Sequence, residues 1–269
     1  EPIPTSDALG LKGASEGRLD ECERRGLLHV GTGMVGFRHD LTRRAVETAL
    51  TGSERLARNR AVLEDLPEDT HPSLIVHCAV EANDVDRLIV VAPRSARYAA
   101  AMGSHRLAVD DFRQLAPYLD RLDPEEVGAL VGEWAREEFL IDNIDEAIKL
   151  NETALSHHRR TGDTSAESMA LAQGSHFYEN AGRRERAEAS ALHAIEVLGP
   201  HADGADLARA LEANAYLAMM AGNVTAVPDF VDRTLAAGGP DIDQRILIRS
   251  LNHRGIVANI ANYPGGRAD

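Results

Sequence analysis

Along the second half of the chain, apolar residues return every three or four positions, the period of a helix that buries one stripe. Glu133–Leu140, Met169–Phe177 and Leu207–Met220 carry this pattern, as do Ile144–Leu155, Ala187–Leu198 and Val224–Leu235. Ala, Leu, Glu and Arg dominate these blocks and are strong helix formers. Helix-end chemistry falls between them. Asp123-Pro124-Glu125-Glu126 offers a capping Asp, a first-turn Pro and acidic residues at a helix start. Thr164-Ser165-Ala166-Glu167 has capping-box spacing, and Gly162, Gly182, Gly199-Pro200, Gly222 and Gly238-Gly239-Pro240 supply stops.

The blocks repeat. Ala96, Ala135, Ser175, Ala215 and Gly255 are spaced 39, 40, 40 and 40 apart. Gly103, Asp142, Gly182 and Gly222 follow the same intervals, and so do Ala108, Ala147, Ala187 and Val227. Each unit therefore reads as helix, tight turn, helix and longer loop. Small residues seven before and five after the turn marker let the paired helices approach closely. This resembles the tetratricopeptide repeat (TPR), whose period is about 34. The extra residues are expected in inter-repeat loops such as Leu198–Asp206. The expected fold is mainly α, a TPR-like α-α superhelical solenoid whose inner groove is the binding surface. The last unit offers one helix, Asp243 to about Ile260, before Tyr263-Pro264-Gly265-Gly266. Gly255 and Ile256 would lack a partner helix there, so either that helix is a cap or the native chain continues, and continuation is the expectation.

The first seventy residues break the period. Arg18–Arg25 reads as a helix, Leu27–Val30 as a strand, Gly31–Gly36 as a turn, Val35–Arg38 as a second strand and Asp40–Leu50 as a helix capped by Asp40 or Thr42. That is a winged-helix layout. Ser53–Leu66 makes a further helix with Leu56, Leu63 and Leu66 inward. Pro67–Pro72 marks the boundary, giving a winged-helix-like module over 1–68 and helical repeats over 69–269. Gly31-Thr32-Gly33-Met34-Val35-Gly36 matches GxGxxG, but a dinucleotide site needs that string between a buried strand and a helix start. An extended piece follows it here, so a hairpin turn is the better reading.

Leu27-Leu28, the glycine-containing turn and Phe37-Arg38-His39-Asp40-Leu41 with Arg44-Ala45-Val46 resemble a known junction. It is the end of the ATPase module in large LuxR-type transcriptional regulators, which are STAND ATPases. In that family the junction precedes TPR-like repeats and a terminal helix-turn-helix. The resemblance implies a parent protein that binds ATP and ADP, an ATPase module in cis, and a role in transcription. It implies that His39 contacts the nucleotide phosphates in the full-length protein. The chain itself has no G-x-x-x-x-G-K-[ST] string and no basic recognition helix.

Composition narrows the field. The 269 residues are 43% hydrophobic and 27% charged, as in a folded globular protein. No stretch reaches the roughly 18 apolar residues of a membrane helix. Forty-three acidic against 29 basic residues give a net charge of −14, which disfavours direct nucleic-acid binding. Two cysteines outside any CxxC pair, and no basic-then-apolar leader, suit a reducing cytoplasm. The chain begins without Met, as a piece of a longer protein would.

Catalytic chemistry is scarce. Neither G-x-S-x-G nor HExxH occurs, and Cys78 reads as a small core residue. His157-His158 read as solvent-facing or capping, and Asp110-Asp111, Glu125-Glu126 and Glu137-Glu138 as solvated faces. No catalytic residue, metal site or bound cofactor is expected in this chain. Aromatic residues bunch on first helices, which line the inner groove of TPR-like stacks, so Trp134, His176, Tyr178, Asn214 and Asn252 are the candidate groove residues. Phe139 and Phe177 read as core. The expected function is a non-enzymatic sensor that takes a small-molecule inducer or protein partner in the groove and acts on the ATPase switch. The other reading is a free-standing scaffold that binds peptides.

Overall fold

The first elements are β1 (Ile3–Pro4), α1 (Thr5–Gly10), α2 (Glu16–Arg24), β2 (Leu28–Gly31), β3 (Met34–Phe37) and α3 (Asp40–Ala49). The computed structural model describes residues 2–11, 13–67 and 69–262, except the side chains of Asp7, Glu125 and Asn262. Its strands form an antiparallel sheet in the order β1-β3-β2. Gly31 pairs with Met34, so only Thr32-Gly33 turn, at φ 50° and 77°. Positive φ at both residues gives the two-residue loop whose twist suits its strands. The GxGxxG string is thus a hairpin, shorter in its turn than expected, with Gly31 and Gly36 inside strands. β1 is not legible in the sequence: it is two residues paired to Val35 and Met34. Gly36 suits that contact, because a Cβ there would stand 3.2 Å from Pro2.

Neither Asp40 nor Thr42 caps α3. His39 holds the cap position without a side-chain bond, and Asp40 instead pairs with Arg43 and Arg44 at 2.7 Å each. The Arg43 hydrogen bond keeps the Asp40 carboxyl below its ordinary range. α4 (Gly52–Asp65) opens on a capping box of Thr51 and Glu54 and buries Leu63. α5 (Pro72–Ala82), α6 (Val85–Ala101), α7 (His105–Leu115) and a 3-10 helix (Ala116–Arg121) follow. The first compact unit runs to Arg121, beyond the 68/69 division drawn from the sequence. Side chains tie α4 onward: Arg60 Nε donates to the Ala82 carbonyl at 3.3 Å and Arg87 Nη1 to that of Leu63 at 2.8 Å.

The second unit holds α8 (Pro124–Leu140), α9 (Ile144–Thr161), α10 (Thr164–Asn180), α11 (Arg184–Glu196), α12 (Gly204–Met220), α13 (Ala226–Gly238) and α14 (Gln244–Asn262). The three spaced series now acquire physical roles. Gly103, Asp142, Gly182 and Gly222 sit at φ 74°, 68°, 70° and 67°. At each, the next residue donates five positions back, as Asn143 does to Glu138 and Arg183 to Tyr178. That is one Schellman turn repeated four times. Ala96, Ala135, Ser175 and Ala215 have no exposed surface, nor have Ala108, Ala147, Ala187 and Val227. Methyl-sized side chains let paired helix axes close up, so these positions are the seams of the TPR-like stack. Gly255 is exposed, because the described residues contain no second helix to cover it.

Several expectations change. The cap of α10 is Asp163, whose carboxylate accepts from Ala166 N at 2.9 Å, while Glu167 pairs with Arg159 at 2.7 Å. Only Gly162-Asp163 join α9 to α10, so the added length there lies in the 18-residue α9 rather than in a loop. Asp111, Glu137 and Glu138 are buried rather than solvated. Glu138 accepts from Trp134 Nε1 at 3.0 Å and Asn143 Nδ2 at 2.8 Å, bonds that satisfy its carboxylate in the interior. His158 is buried against Gly128, where an added Cβ would meet its ring at 2.7 Å. Cys78 is core, with burial pushing its thiol to about 11. Tyr263-Pro264-Gly265-Gly266 lie outside the described residues. Among the described residues, no helix is long and apolar enough to cross a membrane.

Candidate functional site

Helices α10 and α12 are the first helices of consecutive hairpins, and α14 follows them in the same register. α12 packs against both of the others. Residues four apart share a helix face, so Glu212 and Tyr216 on α12 point the same way, as do Arg249 and His253 on α14. The two faces meet. Glu212 is 1% exposed, with Oε1 3.1 Å from His253 Nε2 and Oε2 3.1 Å from Arg249 Nη2. The His176 ring from α10 lies 4.5 Å from the Tyr216 ring, which is 5.9 Å from that of His253. Three aromatic rings from three helices thus form a row beside one buried carboxylate.

Electrostatics follow from that placement. Burial lowers the His176 pKa, partly offset by the Glu212 charge, so the ring is neutral near pH 7. Burial also holds the Tyr216 phenol above its ordinary range. The Arg249 side chain is 50% exposed, so the cluster presents aromatic rings and one half-exposed guanidinium. Such a surface can stack a planar or apolar group and donate to an anionic one. Among the described residues, no group of three His, Cys, Asp or Glu is placed to hold a metal ion.

Of the residues expected in the groove, the structure brings only His176 into this cluster. Trp134 is 8% exposed and spends its indole N–H on Glu138, which makes it core. Asn214 is buried, and its amide donates to the carbonyls of Ala191 and Ala210, both at 2.8 Å. It fastens α12 to α11. Tyr178 donates to Glu152 at 2.8 Å and carries Arg186 over its ring, and burial with the Glu152 bond pushes its phenol to about 12. Asn252 is exposed and on α14 but joins no described contact in the cluster. Phe139 and Phe177 stack at 4.7 Å in the core, as expected. His39, in the first unit, is exposed at the start of α3.

Sequence reasoning missed Glu212, Arg249 and His253. One signal was available. In the forty-residue register, the column through Glu212 reads Gly132, Ala172, Glu212 and Asn252. An acid where the two preceding repeats carry Gly and Ala marks a position whose environment has changed.

No protein-family model and no curated protein matches the chain. Among solved structures, BtubC (BKLC) from P. vanneervenii aligns at TM-score 0.53 and 18% identity over 85% of each chain. A putative kinesin light chain of nearly identical TPR-like repeats from Podosopora anserina aligns at 0.49 and 18%, over 74% of this chain and 92% of that one. A STAND protein with a TPR sensor from Pyrococcus horikoshii aligns at 0.37 and 12%, over 97% of this chain and 50% of that one. The likeness to BtubC is one of helical-repeat fold alone.

Proposed function

We propose that this chain is the non-enzymatic, TPR-like sensor and interaction region of a cytoplasmic, ATP-dependent regulator of the LuxR type. The face built by His176, Tyr216, Arg249 and His253 would take the inducer or protein partner. Occupation would change how the repeats hold the winged-helix-like module, and so shift the balance between ADP-held and ATP-assembled states of an ATPase module in cis. A ligand shifts such a balance only by its differential affinity for the two states.

The observation that carries this reading is the order of parts. A β2–β3 hairpin and α3, holding the Phe37–Val46 string, precede hairpins that repeat on a forty-residue period. His39 supports it. Its imidazole makes no side-chain cap bond on α3, so it is free to meet a phosphate presented from another domain. ATP and ADP belong in this reading to the parent protein, not to these residues.

The test is the genomic reading frame around Glu1. A phosphate-cradling G-x-x-x-x-G-K-[ST] string encoded upstream in the same frame supports the regulator. A start codon immediately before Glu1 overturns it and leaves the free-standing peptide-binding scaffold.

A further inference from the structure

The first unit contains a cleft of about 440 Å³ that the reading above does not use. Volumes of this size hold small molecules. Its walls come from α4, from the turn and first residues of α6, and from Arg121 at the end of the 3-10 helix. Three guanidinium groups line it, Arg60, Arg87 and Arg121, and so do three carboxylates, Glu64, Asp84 and Asp86.

Most of these charges satisfy one another. Arg121 pairs with Asp86 at 2.5 Å, Arg87 approaches Asp84 at 4.0 Å, and Arg87 also donates to the Leu63 carbonyl. Arg60 and Glu64 do not pair, although they stand one helical turn apart. The Arg60 Nε is drawn away to the Ala82 carbonyl at 3.3 Å, which leaves its terminal amino groups without a partner among the described residues. The Glu64 carboxylate likewise has none there. Leu63 and Val85 are the apolar residues of the cleft's lining.

We propose that this cleft binds an aliphatic α-amino acid, with its carboxylate on Arg60, its ammonium on Glu64 and its side chain over Leu63 and Val85. A purely anionic ligand would face three carboxylates, and a purely cationic one three guanidinium groups. A zwitterion meets one unpaired partner at each end. A guanidinium offers the planar pair of donors that suits a carboxylate.

Calorimetric titration of the whole chain with L-leucine tests it. Saturable binding is expected, weakened about tenfold or more when the probe is leucinamide, which lacks the carboxylate, or 4-methylpentanoate, which lacks the ammonium. Arg60→Met and Glu64→Gln should each weaken leucine by a similar factor. Glu64 is exposed and makes no backbone tie among the described residues, so Glu64→Gln should keep the parent's thermal midpoint, whereas Arg60→Met also loses the bond to the Ala82 carbonyl and is titrated well below its own midpoint. The proposal is overturned by absence of saturable heat with leucine, by equal binding of either single-charge analogue, or by variants that fold normally and bind leucine unchanged.

Discussion

Glu212 and His253 lie 41 positions apart in sequence and 3.1 Å apart in space, and both are nearly devoid of solvent. This contact and the Arg249 pair fasten α14 to α12. Removing the acid strands a buried imidazole and frees a guanidinium. Glu212→Ala is therefore expected to cost about 2 kcal/mol or more in urea unfolding. Arg249→Met should cost less, about 1 kcal/mol or below, because half of that side chain already sits in water. Hydrogen exchange across Gln244–Asn262 should rise most in the Glu212 variant. Equal protection of α14 in parent and variant would refute the fastening role.

Acid should weaken the fold from below about pH 6.5. Burial lowers the pKa of His158 and His176 in the native state below their unfolded value of 6.5. The unfolded chain then binds more protons as pH falls through that value, so native stability is present above it and lost beneath it. Urea midpoints at pH 7.5, 6.5 and 5.5 should decline in that order. His176→Phe should flatten the decline. An unchanged slope in that variant would assign the acid response elsewhere.

The repeated left-handed turn makes two opposite forecasts. Asp142 holds φ 68° with a Cβ, whereas Gly182 holds φ 70° without one. Asp142→Gly should stabilise by up to about 1 kcal/mol, and Gly182→Ala should destabilise by about 1 kcal/mol. Thermal midpoints of the two variants should move apart around the parent.

Seam positions should be intolerant only where a partner helix exists. Ala215 has no exposed surface and packs with Val227, Val231 and Val257, so Ala215→Leu should cost about 1–3 kcal/mol through overpacking. Gly255 occupies the same register but nothing lies within 4 Å of an added Cβ. Gly255→Ala should stabilise α14 by about 0.5–1 kcal/mol. Destabilisation by that substitution would mean that a helix covers the position.

The sequence by itself determined the skeleton: where hairpins turn, which residues form the seams, and that a strand-containing module precedes the repeats. These features are local demands repeated at a fixed period. A positive φ selects glycine, a close helix approach selects alanine, and both leave marks in a linear string. Burial of polar groups left no such mark. Glu138, Glu212 and His158 look like surface residues in sequence, and Trp134 and Asn214 like groove residues, because each one's environment is supplied by a different turn or helix. The Glu212 carboxylate lies in the interior because Arg249 and His253 reach it from α14, 37 and 41 positions on. Only the packed structure decided that, since desolvating a charge is tolerable solely where partners converge on it, and convergence is a property of three dimensions.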